Sequence, residues 1–148
     1  AGKRVLLVTI MKGSFIVLAD LIRALHRVGL QDPTVTALTV SSYGSGTESS
    51  RKPRFKHEVD IQVQDRHVLL VEDIVDTGLT AHFFMSHLKD SHNVKSMALA
   101  ALLDKKAKRK QIVRIDYCAF DIEDVFVIGY GLDDSGLCRN LPYVGIVE

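Results

Sequence analysis

Continuous apolar runs alternate with helical stripes along this chain. Arg4 to Ile10 (RVLLVTI) is unbroken and rich in branched residues, the pattern of a strand buried on both faces of a parallel sheet. Met11-Lys12-Gly13 interrupts it. Ser14 is placed to cap a helix in which Phe15, Leu18, Leu21, Ile22 and Leu25 recur at helical spacing before Gly29. Pro33 to Ser41, full of Val and Thr, predicts a second strand. From Ser41 to His57 the periodicity vanishes and Gly, Ser, Lys and Arg dominate, as in a functional lid or a disordered loop. Val59, Ile61 and Val63 alternate within a short strand that leads to a turn at Gln64-Asp65-Arg66. His67 to Val71 predicts another buried strand, and a helix beginning near Thr80 sets Phe83, Phe84 and Leu88 on one side. Val94 to Leu103 is the next strand, closed by the basic stretch Asp104 to Lys110. Tyr117 to Phe120, Phe126 to Ile128 and Val144 to Val147 are short β-rich pieces between acidic or Gly-containing turns.

Strands alternating with helices define an α/β class with a mostly parallel sheet flanked by helices, the last pieces forming a smaller edge or flap. No internal repeat or low-complexity segment divides the 148 residues, so one domain is expected. The chain opens directly on its first strand, without an initiator Met, and reads as a fragment or trimmed chain that lacks an N-terminal segment packed on this domain.

Composition narrows the class. With 47% apolar and 25% charged residues the chain can bury a core. Its formal charge is +1, from 19 basic and 18 acidic residues, so nothing calls for a field that gathers nucleic acid or coats an acidic membrane. Charged residues, Gly or Pro break the apolar runs well short of the roughly 20 residues that span a bilayer. Cys118 and Cys138 have neither metal-ligand spacing nor the density of a disulfide scaffold, and are read as free thiols in a reducing cytoplasm. The six His residues show no metal-binding spacing.

The chemistry concentrates in Val68 to Thr80, VLLVEDIVDTGLT. In an open parallel sheet the ligand crevice lies at the carboxyl ends of the strands, and here Glu72 and Asp73 stand at such an end. Asp76 follows. Thr77-Gly78-Leu79-Thr80 then opens a helix, so backbone N–H groups and two hydroxyls converge on a phosphate that Gly78 lets approach closely. Carboxylates repel a phosphate. Beside one, they make sense if they hold sugar hydroxyls or Mg²⁺ while the phosphate rests on the helix N-terminus. A lone acid at a strand end merely caps the next helix; the full run after an apolar strand does not read that way.

This run resembles the ribose-phosphate signature of the type I phosphoribosyltransferase family. Further segments resemble its hypoxanthine-guanine branch in order and spacing: Met11 to Ser14, Ser41 to Gly44, Leu102 to Lys105, Phe126 to Asp133 and Arg139 to Tyr143. The resemblance spans nearly the whole chain. It implies the type I fold, with a core over about 1–120, a lid over about 41–57 and a small C-terminal hood over about 121–148 whose N-terminal part is missing. It implies an enzyme of purine salvage that joins a 6-oxopurine to phosphoribosyl pyrophosphate with the help of Mg²⁺. Members of the branch pair as homodimers or homotetramers.

The resemblance also implies residue roles. Glu72 and Asp73 would hold the ribose hydroxyls and a Mg²⁺ ion, and Asp76 would take or share the proton of the purine's five-membered ring. Thr77, Gly78, Leu79 and Thr80 would bind the 5′-phosphate, Leu79 through its backbone N–H alone. Lys12 and Gly13, in a loop often built on a cis peptide, would contact pyrophosphate together with Arg139, while Asp133 would hold a second Mg²⁺ and border the purine. Lys105 would donate to the purine's 6-oxo group, Phe126 would stack on the base and the backbone of Val127 would read its edge. Ser42 and Tyr43 would open the lid that excludes water. Taken alone these residues are unremarkable: Lys12-Gly13 is a surface turn, Arg139 a surface Arg and Phe126 a core residue. Lys105, Lys106, Lys108, Arg109 and Lys110 read alone as one run of solvated charges.

Two other classes compete. A regulator on the same fold would bind phosphoribosyl pyrophosphate or nucleotide without turnover, but it has no need of Asp76, Lys105, Phe126 and Asp133 together. A phospho-acceptor receiver domain also carries acids at strand ends, yet its acidic pair belongs on the first strand, where this chain has Lys12.

Overall fold

The computed structural model describes residues 4–41, 54–55, 63–91 and 93–147. Its elements run β1 (Val5–Met11), α1 (Phe15–Arg27), β2 (Thr34–Ser41), β3 (Arg54–Phe55), β4 (His67–Val75), α2 (Leu79–Ser91), β5 (Ser96–Lys105), β6 (Tyr117–Ile122), β7 (Phe126–Ile128) and β8 (Gly145–Val147). The sheet order is β3-β2-β1-β4-β5-β6. Every pairing in it is parallel except that of β2 with β3. β7 and β8 pair antiparallel in a separate ribbon.

The unbroken apolar runs reflect a sheet covered on both sides. Leu6, Val8 and Ile10 of β1 and Val68 and Leu70 of β4 join Ala81, Phe84 and Leu88 of α2 in one core cluster. Leu7 and Val71, the intervening positions, join Leu18 of α1 in a second, with Leu21, Ile22 and Leu25 packed against it. Alternation along each strand thus sends neighbouring residues to opposite helices. α1 ends in a Schellman motif: Gly29, at φ +95°, donates to His26 O at 3.1 Å and Leu30 donates to Leu25 O at 3.0 Å.

Several sequence expectations are corrected. Ser14 stands at the α1 N-cap but makes no side-chain cap. It is fully buried against the sheet, where its hydroxyl accepts from Thr9 and donates to the Ile10 carbonyl. Phe15 precedes the covered stripe and is 41% exposed. Phe83 lies outside the α2 core stripe and stacks on His87. β4 continues four residues past Val71, because Glu72 to Val75 keep their register beside Ala101 to Asp104 of β5. The polar stretch after β2 contains strand β3. Ser42, Tyr43, most of the 41–57 stretch and all but the last residue of the strand expected over 58–63 lie outside the described residues; that last residue, Val63, is buried and is not in a strand. Of the three late β-rich pieces, the first is the sheet's edge strand and the other two are the flap ribbon.

Strand order locates the functional cleft. From β1 the chain moves to β2 on one side, then returns to β4 on the other, so the connections diverge between β1 and β4. A crevice opens at the carboxyl ends of strands at such a switch point. The flap ribbon closes over this end, its Val127 and Leu132 packed with Leu103 of β5 and with Ile74 of β4.

Candidate active site

The crevice is a cleft of about 240 Å³ between the ends of β1 and β4 and the start of α2. From β1 come Lys12, which follows a cis Met11–Lys12 peptide, and Gly13. From β4 come Glu72 and Asp73. Glu72 is buried, and loss of hydration, followed by the charge of Asp73, pushes its carboxyl well above the ordinary range. Burial also raises Asp73, against the Ile74 N–H that its Oδ1 accepts at 2.9 Å and the nearby charge of Arg139. Gly13 is required here: a Cβ would sit 1.6 Å from Asp73 Oδ2.

Asp76 and the loop after it form the floor. Glu72 Oε1 and Asp76 Oδ1 are both buried without a hydrogen-bond partner among the described residues, a state that costs free energy for a polar atom out of water. Gly78, at φ +79°, precedes α2 and supplies no side-chain cap, and the first turn carries no acid. Its carbonyl accepts the His82 N–H at 3.0 Å. The Leu79 N–H lies 3.4 Å from the Thr77 hydroxyl, a long contact that leaves the opening turn poor in internal acceptors.

Lys105, at the end of β5, faces the cleft from the flap side and is buried. Its ammonium lies 3.5 Å from Asp76 Oδ2 and 3.5 Å from Asp124 Oδ1, and 3.4 Å from the Val125 carbonyl. Phe126 is half-exposed while Val127 is turned into the flap core. Arg139 donates to Gly131 O at 2.6 Å and pairs with Asp133 Oδ1 at 2.6 Å, and Asp133 Oδ2 accepts the Gly136 N–H at 2.7 Å. The flap reaches the β1 loop through Gly131, where a Cβ would meet Gly13 O at 2.0 Å, and through a Tyr130 hydroxyl bonded to Asp20 of α1.

Of the described site residues, those of the β1 loop and of the Glu72 to Thr80 run line one cleft, except Leu79; Lys105 adjoins it through Asp76, and Arg139 and Asp133 through their charges near Asp73, whereas Phe126 and Val127 stand on the flap outside the cleft lining. Ser42 and Tyr43 are outside the described residues. Two participants were not singled out by sequence: Asp124, which shares Lys105 with Asp76, and Arg109. The latter is corrected from a solvated charge to a half-buried guanidinium packed under the Asp76 loop. No spacing signal marks Arg109 within its charge run; only its closeness to a strand end hints at it.

One buried and one half-buried carboxylate thus share a cleft with the glycine-hinged start of α2, and the phosphoribosyl transferase domain family matches residues 1–135. The hypoxanthine-guanine phosphoribosyltransferase of Dictyostelium discoideum is 41% identical over 144 residues, covering 97% of this chain and 79% of that protein. That of Bacillus subtilis is 36% identical, over 97% and 77%. The solved hypoxanthine phosphoribosyltransferase of Staphylococcus aureus superposes with a TM-score of 0.87 at 36% identity, covering 99% of this chain and 77% of that one. The chain belongs to the hypoxanthine-guanine phosphoribosyltransferases and is an enzyme of that class.

Proposed function

We propose that this enzyme transfers the 5-phosphoribosyl group from phosphoribosyl pyrophosphate to hypoxanthine or guanine, giving IMP or GMP and pyrophosphate, in purine salvage. The observation that carries this reading is the meeting of unpartnered Glu72 and Asp76 oxygens, the open α2 N-terminus and the Lys105 ammonium 3.5 Å from Asp76.

In this reading a ring nitrogen of the purine attacks the anomeric carbon. The new C–N bond forms as the C–O bond to pyrophosphate breaks, and the proton released by the five-membered ring goes to Asp76. The Asp76 charge also favours the oxocarbenium character of the transition state. The 5′-phosphate rests on Thr77, Gly78, Leu79 and Thr80. Lys105, already aimed by Asp124 and the Val125 carbonyl, donates to a 6-oxo oxygen; a 6-amino group offers it another donor, which excludes adenine. Phe126 stacks on the base beside the Val127 backbone. Lys12, Gly13 and Arg139 hold pyrophosphate, and Ser42 and Tyr43 belong to the lid.

The donor set fits Mg²⁺ at the acidic pair. Glu72 presents a buried oxygen with no partner among the described residues, and burial penalises the charge on both Glu72 and Asp73, a cost that a hard divalent cation offsets. Glu72 and Asp73 would hold the ion, directly or through water, and it would neutralise the oxygens of ribose and pyrophosphate when bound. Asp133 fits a second ion less simply. Its two oxygens are engaged by Arg139 and the Gly136 N–H, so its use as a ligand goes with release of Arg139 toward pyrophosphate. The same reading takes about 1–120 as core, 121–148 as flap and 41–57 as lid of one domain, in a cytoplasmic homodimer or homotetramer.

The test is a steady-state assay with Mg²⁺, phosphoribosyl pyrophosphate and each of hypoxanthine, guanine, xanthine and adenine. Turnover confined to 6-oxopurines is expected. Turnover of adenine at a comparable rate would remove the role given to Lys105, and binding of phosphoribosyl pyrophosphate without turnover of any base would remove the role given to Asp76.

A further inference from the structure

The loop that carries Asp76 and the phosphate-binding residues has a second wall. Arg109 lies across its back, with Nε donating to Asp76 O at 2.8 Å and Nη2 donating to Val75 O at 2.9 Å. The same guanidinium pairs with the buried carboxylate of Asp104, which stands beside Val75 in the sheet register. Directly after it, the N–H groups of Lys110 and Gln111 both donate to Thr77 O, at 2.9 and 3.0 Å. The Gln111 carbonyl closes the mould: a Cβ on Gly78 would lie 2.3 Å from it. Three consecutive carbonyls of the loop, those of Val75, Asp76 and Thr77, are thus tied to three consecutive residues from another part of the chain.

We propose that Arg109 is a positioning residue for the 5′-phosphate loop and for Asp76, acting through their backbone and not by contact with substrate. The inference rests on the phosphoribosyltransferase reading above. Its physical content is that the fork fixes two successive carbonyls at once, and fixing them sets where the Asp76 carboxylate and the N–H groups of residues 78–80 point. A planar guanidinium does this with diverging donors, while an ammonium on a flexible stem supplies only a point charge. Asp104 anchors the guanidinium, and Lys110 and Gln111 complete the mould. Displacement of a positioned group by about 1 Å is enough to cost on the order of a hundredfold in rate.

Arg109→Lys and Arg109→Ala are compared with wild type in three measurements: KM for phosphoribosyl pyrophosphate and for hypoxanthine, calorimetric affinity for GMP and for pyrophosphate, and melting temperature. Both variants are expected to lose about tenfold or more in kcat/KM for phosphoribosyl pyrophosphate and a similar factor in GMP affinity. Affinity for pyrophosphate should stay within about twofold, since Lys12, Gly13 and Arg139 are not tied to Arg109, and KM for hypoxanthine, whose Lys105 touches Asp76, should move less than the phosphate-side values. Arg109→Lys keeps the charge opposite Asp104, so it serves if Arg109→Ala does not fold. Asp104→Asn, which frees the guanidinium without removing it, should move the same quantities by a smaller factor. Wild-type GMP affinity in folded Arg109→Lys overturns the proposal, as does an equal loss toward all four ligands, the mark of a merely structural role. Failure of the underlying reading shows elsewhere, as a wild-type enzyme that neither binds GMP nor consumes phosphoribosyl pyrophosphate.

Discussion

Two cavities lie near the same end of the sheet and are built on opposite principles. The cleft between β1 and β4 is small, about 240 Å³, and lined by carboxylates, a lysine and backbone N–H groups. The cavity between β5, β6 and the flap is about 750 Å³ and lined mainly by Leu, Ile, Val and aromatic side chains, among them Leu103, Ile122 and Val127. The first keeps two buried carboxylate oxygens without partners among the described residues. The second rests on the apolar cluster of Leu103, Val127 and Leu132. Groups that raise the free energy of the folded chain are retained where charge must be met, whereas the flap is held by groups that lower it. Substitutions in the two regions should therefore separate activity from stability.

The largest expected effect is on the acidic side. Asp76→Asn keeps the shape of the side chain and removes its ability to take a proton, and kcat should fall by about 10²–10⁴ with little change in melting temperature. Leu103→Ala, on the apolar side, should do the reverse. Leu103 is 3% exposed, and its truncation should cost about 2–5 kcal/mol of unfolding free energy while kcat of the folded fraction falls far less. Urea unfolding alongside initial rates checks both. If Asp76→Asn unfolds the chain, or if Leu103→Ala abolishes turnover in a folded protein, the division of labour between the two cavities does not hold.

That division was partly legible in the sequence. Acids, Thr and Gly in the run from Glu72 to Thr80 are contiguous, so their chemistry is written locally; so is the parallel sheet, in runs too apolar for a half-exposed strand. What sequence hid depends on segments returning from a distance. Arg109 looks like its neighbours Lys108 and Lys110, and only the fold lays it beneath Asp76. β4 read as ending at Val71 because Glu72-Asp73 breaks the apolar run, yet pairing with β5 carries it on to Val75. Ser14 read as a helix cap because its neighbours are helical, yet its hydroxyl donates to the Ile10 carbonyl of β1 and accepts from Thr9. In the flap Phe126 read alone as a core residue, yet it is half-exposed and pairs with Val147 across the ribbon while Val127 turns inward, a pairing that nothing local reveals.

Lys105 sits at the seam between the two regions. It is held by Asp76 on the polar side and by Asp124 and the Val125 carbonyl at the entrance to the flap. Lys105→Gln retains a donor and loses the charge. KM for hypoxanthine should rise about tenfold, the roughly 1.4 kcal/mol lost when a charge-assisted hydrogen bond becomes a neutral one, with KM for phosphoribosyl pyrophosphate nearly unchanged. An unchanged selectivity for hypoxanthine over adenine in this variant would move base recognition from Lys105 to the flap backbone.

The smallest effect probes the buried acids directly. Burial raises the carboxyls of Glu72 and Asp73 above their ordinary values of 4.5 and 3.8, so folding favours their protonated forms. The sign follows: their contribution to stability is fully present below those ordinary values and is lost as pH rises through the raised folded-state values, after which both states are ionised and the penalty is constant. Glu72→Gln removes one of the two charges. It should flatten the decline of melting temperature as pH rises above the ordinary carboxylate range, and raise the melting temperature by a few degrees once the wild-type pair is ionised. Added Mg²⁺ should raise the wild-type melting temperature at pH 7 and do so much less in Glu72→Gln, because a cation bound only by the folded pair stabilises it by mass action. A variant with the wild-type pH profile and the same response to Mg²⁺ would mean that Glu72 bears no uncompensated charge, and the polar cleft would then be no more costly to fold than the apolar cavity beside it.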